Sequence, residues 1–241
     1  MTQKRIIITG ATSGLGYELA ELCLQKNYLV GVTGRRTERF QDLKANYPEH
    51  VFPAFMDVSQ AEDSVDKLRN LIEEMGGMDI LVLNAGVSGN EDYKSWETLK
   101  RVIDVNVSGF VALANYAMNY FERQPEGQIV GISSMAGFFG YGRSPTYTAS
   151  KAFVSNYMQG LRQRARRMEC NLVITDIKPG FVATEMTANR TDMFWVIDSP
   201  TAARQMLRTI ESRKSYGYVS RRWRLVAWLL SLLPNRLFDR I

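Results

Sequence analysis

Arg5-Ile6-Ile7-Ile8-Thr9-Gly10-Ala11-Thr12-Ser13-Gly14-Leu15-Gly16 is the stretch on which the reading of the whole chain turns. Residues 5–9 form a short β-branched run of the kind found in strands buried on both faces. Three glycines follow within seven residues, and residues 17–26 then place Leu19, Leu22 and Cys23 on one helical face. Strand, glycine turn and helix in that order make a phosphate cradle. Glycines let the backbone approach a pyrophosphate closely, and the helix N-terminus offers unpaired N–H groups with a partial positive charge. A turn that serves packing alone has no evident need for three glycines.

Working outward, residues 29–33 predict a second strand running into Gly34-Arg35-Arg36. In a dinucleotide fold this strand end meets the adenosine ribose. An acid there bonds the 2′-hydroxyl of NAD, whereas arginine accommodates the 2′-phosphate of NADP. No acid lies between Thr33 and Thr37, so NADP is expected. Arg35 is the expected phosphate ligand, Arg36 stacks on adenine, and Ser13 adds a donor. Further strands are expected over 51–56, 80–83, 127–133, 171–178 and 216–219. The third is capped by Asp57-Val58 at the adenine edge, the fourth leads into Asn84-Ala85-Gly86, and the sixth ends in Pro179-Gly180. Helices are expected over 61–74, over 96–121 with Asn106 in its middle, and from Tyr147 to about residue 168. This alternation predicts an α/β protein with a parallel, doubly wound seven-stranded sheet of the Rossmann kind. It reads as one domain over 1–220 with an amphipathic tail over 221–241.

The chemistry concentrates in Tyr147-Thr148-Ala149-Ser150-Lys151, with Ser133 and Ser134 upstream. On a helix, Tyr147 and Lys151 lie one turn apart on one face. A tyrosine titrates near ~10, and a neighbouring ammonium stabilises its phenolate and brings it into working range. Taken alone, such a pair is an ordinary surface neighbour pair. Asn106, a poor helix former among apolar residues, calls for a polar partner or a bound water.

Composition narrows the field. The 241 residues can build one large core, and 45% hydrophobic with 23% charged residues describes a soluble globular protein. The net charge of +5 is dense only around 162–167 and 221–224 and does not imply nucleic-acid binding. Cys23 and Cys170 suggest no disulfide framework, which fits a reducing, cytoplasmic setting. A single histidine, His50, excludes a histidine-cluster zinc site and argues against a serine-hydrolase triad; no metal is expected. No secretory leader is read at the N-terminus, and no run approaches the ~20 apolar residues that span a bilayer.

Together these pieces resemble the short-chain dehydrogenase/reductase family over nearly the whole length. The resemblance rests on Thr9 to Gly16, Asn84-Ala85-Gly86, Asn106, Ser134 thirteen residues before the tyrosine, Tyr147 with Lys151, and Pro179-Gly180 with Thr184. It implies that Tyr147 is the general acid in carbonyl reduction and that Ser134 bonds the substrate oxygen. Lys151 would bind the nicotinamide ribose and lower the tyrosine pKa, and Asn106 would hold a water that relays protons. Thr184 and the Val182 backbone would hold the carboxamide, and Asn84 would line the adenosine ribose. Gly10, Thr12, Ser13, Gly14, Leu15, Gly16, Asp57, Val58, Ala85, Gly86, Pro179 and Gly180 complete the cofactor set. Strand pleating turns Ser133 away from Ser134, and family spacing selects Ser134.

The expected activity is an NADPH-dependent carbonyl reductase, or alcohol dehydrogenase in reverse, for a small to medium apolar ketone or aldehyde. Reduction of a 3-oxoacyl thioester is the alternative, and a non-catalytic NADP-sensing regulator is the alternative from another class. Met186, Met193, Phe194, Trp195 and Ile197 suggest an apolar cover over the substrate. Two apolar stripes on the Tyr147 helix, Phe153, Tyr157 and Leu161 beside Val154 and Met158, suggest a homodimer or homotetramer. In the tail, Arg221, Arg222 and Arg224 flank the apolar run 225–233, which is too short to span a membrane. It suits a lid, a subunit contact or peripheral membrane contact.

Overall fold

The computed structural model describes residues 3–88, 95–188, 193–220 and 222–232. Its centre is β1 (Arg5–Thr9), where Ile6, Ile7 and Ile8 have no exposed surface. Alternate side chains serve opposite layers, as a strand period of two requires. Ile6 and Ile8 pack with Leu19 and Cys23 of α1 (Gly14–Gln25), and with Met206 and Ile210 of the late helix α7 (Ser199–Glu211). Ile7 packs with Leu68 and Leu71 of α3 (Ala61–Glu74).

From β1 the chain winds out through β2 (Leu29–Gly34), the short α2 (Gln41–Asn46) and β3 (Val51–Phe55). It then crosses back to β4 (Ile80–Leu83), β5 (Glu126–Ile132), β6 (Asn171–Pro179) and β9 (Tyr216–Val219). The order β3-β2-β1-β4-β5-β6-β9 is parallel throughout. The winding reverses between β1 and β4, and ligands of such sheets bind in the crevice beyond the strand ends at that switch point. The seven-stranded sheet and its single-domain α/β form are those expected, with strand edges within one residue. Outside it, β7 (Val182–Ala183) and β8 (Ile197–Asp198) form a small parallel ladder that was not expected. Nor was α7, although Ala202, Ala203, Met206, Leu207 and Ile210 bury one face of it.

One helix differs from its expectation. Residues 96–121 are not continuous: α4 (Trp96–Ile103) and α5 (Phe110–Phe121) are separated by a π-helical turn, Asp104–Gly109. The wider turn carries Asn106, which is 1% exposed, and ends where Gly109 presses against the Val58 carbonyl. Single π turns inside helices are often found at functional sites. The helix bearing the tyrosine, α6 (Pro145–Ala165), starts with proline in its first turn, where the missing N–H costs nothing.

At the far end α8 (Trp223–Leu232) buries Trp223 and Ala227 against Met135, Phe138 and Phe181. Its Leu225, Trp228 and Leu229 face outward. Residues 221 and 233–241 of the expected tail, and 189–192 of the expected substrate cover, lie outside the described residues. Among the described residues no helix is long and apolar enough to cross a membrane.

Two glycines test this packing. A Cβ at Gly109 would sit 1.9 Å from the Val58 oxygen, whereas one at Gly160, exposed on α6, would meet nothing within 4 Å. Gly109→Ala is expected to cost roughly 3 kcal/mol through overpacking. Gly160→Ala should gain about 0.5–1 kcal/mol from helix propensity. Urea unfolding of the two variants measures both.

Candidate active site

The ends of β1, β4, β5 and β6 open into a cleft of about 870 Å³. This lies at the upper end of the range of small-molecule and cofactor sites, roughly 300–1,000 Å³. Every residue expected at the site lines the cleft except Gly16 and Asn106, which lie just behind its surface.

At one end the glycine turn is braced from behind. Gly10 has a positive φ of 67°, and a Cβ there would lie 2.6 Å from the Ala85 Cα. A Cβ at Gly16 would lie 2.5 Å from Asn84 Nδ2 and 2.6 Å from the Gly10 oxygen. Asn84 spends both amide hydrogens on the turn, donating to the Thr9 and Gly10 carbonyls at 3.0 Å each. Thr9 Oγ1 in turn accepts the backbone N–H groups of Asn84 and Ala85. Asn84 therefore holds the turn in shape while its residue lines the cleft. Across the cleft, Gly14 abuts the Thr184 side chain, which caps the short helix Glu185–Thr187.

The basic corner has its own arrangement. Arg35 lies 4.0 Å from the Asp57 carboxylate, which Ser59 holds through its N–H and hydroxyl. Arg36 turns toward the glycine loop, where its Nη2 donates to Ser13 Oγ at 2.9 Å. The same nitrogen reaches Glu185 at 3.0 Å, and Arg39 lies 3.8 Å from that carboxylate. The bond from Arg36 holds the Glu185 carboxyl below its usual range. The expected division, Arg35 on phosphate and Arg36 on adenine, thus meets a structure in which Arg36 is the arginine paired with Ser13. The chain beyond the second strand is irregular, and residue spacing does not encode where such side chains turn.

The other end carries Tyr147 and Lys151. Tyr147 and Lys151 share one face of α6, and Lys151 Nζ lies 5.9 Å from the centre of the Tyr147 ring. Lys151 is 6% exposed and donates to the Ile132 carbonyl at 3.0 Å. Burial pushes its pKa down to about 8, and Asp176 opposes the fall. Desolvation disfavours the charged form, and a nearby carboxylate restores part of what is lost. Ser134 Oγ accepts from the Ala136 N–H at 3.0 Å and faces the cleft. Ser133 points away, with its hydroxyl donating to Asp176. The pleat therefore separates the two serines as expected.

Asn106 finds partners in residues that the sequence did not single out. Its Oδ1 accepts from the Val87 N–H at 2.9 Å, and its Nδ2 donates to the Val87 carbonyl at 2.9 Å and to Ser150 Oγ at 3.0 Å. Oδ1 keeps a second lone pair. It and Lys151 Nζ both flank Gly86, at 3.4 and 3.3 Å from where a Cβ would stand. Val87 contributes only backbone, so its side chain could not have signalled the bond. Ser150 sits inside the motif itself and could have.

A dinucleotide-sized cleft with a glycine cradle at one end and a half-buried tyrosine beside a buried lysine at the other is the outline of a Rossmann oxidoreductase. The family model described as short chain dehydrogenase matches residues 4–194. The chain is 35% identical to an uncharacterized oxidoreductase of Myxococcus xanthus, over 99% of this chain and 96% of that protein. It is 33% identical to a farnesol dehydrogenase of Aedes aegypti, over 76% of this chain and 79% of that one. A short-chain dehydrogenase from Sphingobium yanoikuyae, solved with NADPH, shares the fold with a TM-score of 0.81 at 22% identity, over 96% of both chains. The chain belongs to the short-chain dehydrogenase family.

Lys151 binds its proton less tightly in the folded protein, at about 8, than at its ordinary 10.5. Its cost to stability is fully present below about pH 8 and fades as pH rises toward 10.5. At 1.36 kcal/mol per unit the cost is roughly 3 kcal/mol. Lys151→Met also forfeits the bond to Ile132, worth about 1 kcal/mol. The variant should therefore be more stable than the wild type at pH 7 by about 1–2 kcal/mol. Denaturant titrations at pH 7 and pH 10 should show that gain shrinking.

Proposed function

We propose that the chain is an NADPH-dependent carbonyl reductase, and alcohol dehydrogenase in reverse, acting on small to medium apolar ketones or aldehydes. The observation that carries this is the shared cleft: Tyr147 and Lys151 at one end, Arg35, Arg36 and Ser13 at the other. The cofactor fits the residues present. Gly10 and Gly16 have no room for a Cβ against Ala85, Asn84 and the turn's own backbone, so the turn keeps the tight form in which a backbone can meet a pyrophosphate. Two arginines and no acid at the end of β2 suit a 2′-phosphate. Thr184 and the Val182 backbone suit the carboxamide.

When bound, the nicotinamide supplies the hydride. The protein's own part is to bind the carbonyl and move a proton. Ser134 and Tyr147 present hydroxyl donors to the oxygen, which stabilises the negative charge that develops there. Tyr147 gives up its proton, and the Lys151 ammonium stabilises the phenolate left behind. Lys151 also suits the nicotinamide ribose. The unused lone pair of Asn106, facing Gly86 beside Lys151, suits a relay water. Phe181, Phe194 and Met186 near the cleft support an apolar substrate, and the likeness to a farnesol dehydrogenase agrees. Ile103 and Phe153 are each 37% exposed, and Phe153 stacks on Tyr157 at 5.6 Å. This uncovered apolar face supports a homo-oligomer. Light scattering at micromolar concentration should give a mass at least twice 27.4 kDa, and a monomer would refute it.

NADPH oxidation against ketones, aldehydes, quinones and acyl thioesters tests the activity. Turnover should favour apolar ketones or aldehydes; a preference for acyl thioesters would redirect the substrate, and faster reaction with NADH would overturn the arginine argument. Tyr147→Phe should lower kcat by a factor of a hundred or more, in line with loss of a general acid. Its NADPH affinity, read by fluorescence, should stay within about threefold of wild type.

A further inference from the structure

Behind the cleft lies a buried charge pair that neither the cofactor cradle nor the proton transfer uses. Asp176 has no exposed surface, and Lys178, two residues along β6 and on the same face, is 6% exposed. Their charged atoms pair at 2.5 Å. Asp176 Oδ1 accepts from the hydroxyl of Ser133, the residue before Ser134. Its Oδ2 accepts from the hydroxyl of Ser155 at 2.9 Å, and Ser155 stands one turn beyond Lys151 on α6. Lys178 donates to Ser155 as well, and its Nζ lies 5.6 Å from the centre of the Phe138 ring, in the turn after Ser134.

Burying two charges is expensive, and apolar residues of similar volume often serve stability as well or better. Stability alone is therefore a weak reason for this pair. Its placement offers another. Asp176 is bonded at one oxygen to the end of β5 that carries Ser134, and at the other to the helix that carries Tyr147 and Lys151.

We propose that Asp176 is a positioning residue for carbonyl reduction: with Lys178 it clamps the end of β5 to α6, fixing Ser134 relative to Tyr147 and Lys151 and supplying the negative charge that faces Lys151. The proposal rests on the functional reading above. The groups facing Asp176 are Lys178 on its own strand, Ser133 directly after β5, Lys151 and Ser155 on α6, and Tyr218 on β9, whose phenol is pushed up by burial and then by Asp176. Those facing Lys151 are Tyr147 and Asp176. Removing the carboxylate leaves the lysine's loss of hydration opposed by nothing else of negative charge among them.

The test uses Asp176→Asn combined with Lys178→Met, which removes both charges of the pair so that neither is left behind without the other. Lys151 is titrated by nitrogen NMR of its ammonium, assigned with Lys151→Met, which needs no turnover. In the double variant Lys151 should lose its proton at a pH at least half a unit lower. Steady-state kcat at pH 7 should fall about tenfold with the NADPH dissociation constant unchanged, and the high-pH limb should move to lower pH. An unchanged Lys151 titration with wild-type kcat overturns the proposal. Should the double variant not fold, Ser155→Ala decides: it cuts the α6 side of the clamp without touching a charge. It should lower kcat two- to fivefold at unchanged NADPH affinity, and wild-type kcat there counts against the clamp. A wild type without turnover on any carbonyl defeats the functional reading, while the titration still decides whether Asp176 acts on Lys151.

Discussion

An ammonium group almost sealed from water is held at the junction of β4, β5 and α6, and much of the surrounding structure follows from keeping it there. Lys151 has lost most of its hydration, so each remaining polar neighbour carries weight. The Ile132 carbonyl receives one proton of the three, the Tyr147 ring lies on one side, and Asp176 stands behind. Gly86 is part of the same requirement: any side chain at that position would press on Lys151 Nζ and Asn106 Oδ1 together. The π-helical turn brings Asn106 inward to bond Val87, one residue further along the loop that contains Gly86. A desolvated cation and a widened helical turn are thus two parts of one arrangement.

The opposite end of the cleft obeys a different constraint, the unpaired backbone of a tight turn. Asn84 satisfies the Thr9 and Gly10 carbonyls from below, and the Thr9 hydroxyl in return accepts from the Asn84 and Ala85 N–H groups. Asn84 thereby links the end of β4 to the end of β1, the two strands between which the winding reverses. The corner at Arg36 is looser. Its ion pair with Glu185 is exposed, and surface ion pairs of this kind hold only about 0–1 kcal/mol. Rigidity at the glycines and give at the arginines suit a site that must admit a long ligand and then grip it.

The sheet was legible because its strands are buried on both faces. Runs such as residues 5–9 and 80–83 then contain hardly any polar residue, and glycine or asparagine marks where they stop. The residues around Tyr147 and Lys151 were legible because their spacing matches a helical turn. The π turn was not, since the apolar period continues through 96–121 and a single extra residue per turn barely disturbs it. Asp176 and Lys178 escaped notice for the opposite reason: acid and base two apart on a strand ordinarily face water, and only the covering α6 makes them interior. The direction taken by Arg36 depends on Glu185, distant in sequence, and no local pattern carries that information.

Trp223 ties helix α8 to the wall of the cleft. Its indole lies so close to Gly180, a residue of the cleft wall, that a methyl group on Gly180 would overlap the ring. The same indole meets Phe181, Phe194 and Trp195 edge-on or tilted, so strand end, cover segment and last helix share one aromatic cluster. α8 thus bears both on the Gly180 wall of the cleft and on Tyr218 of β9. The outer side of α8, where Leu225, Trp228 and Leu229 are exposed, is thereby one aromatic layer away from the cleft wall.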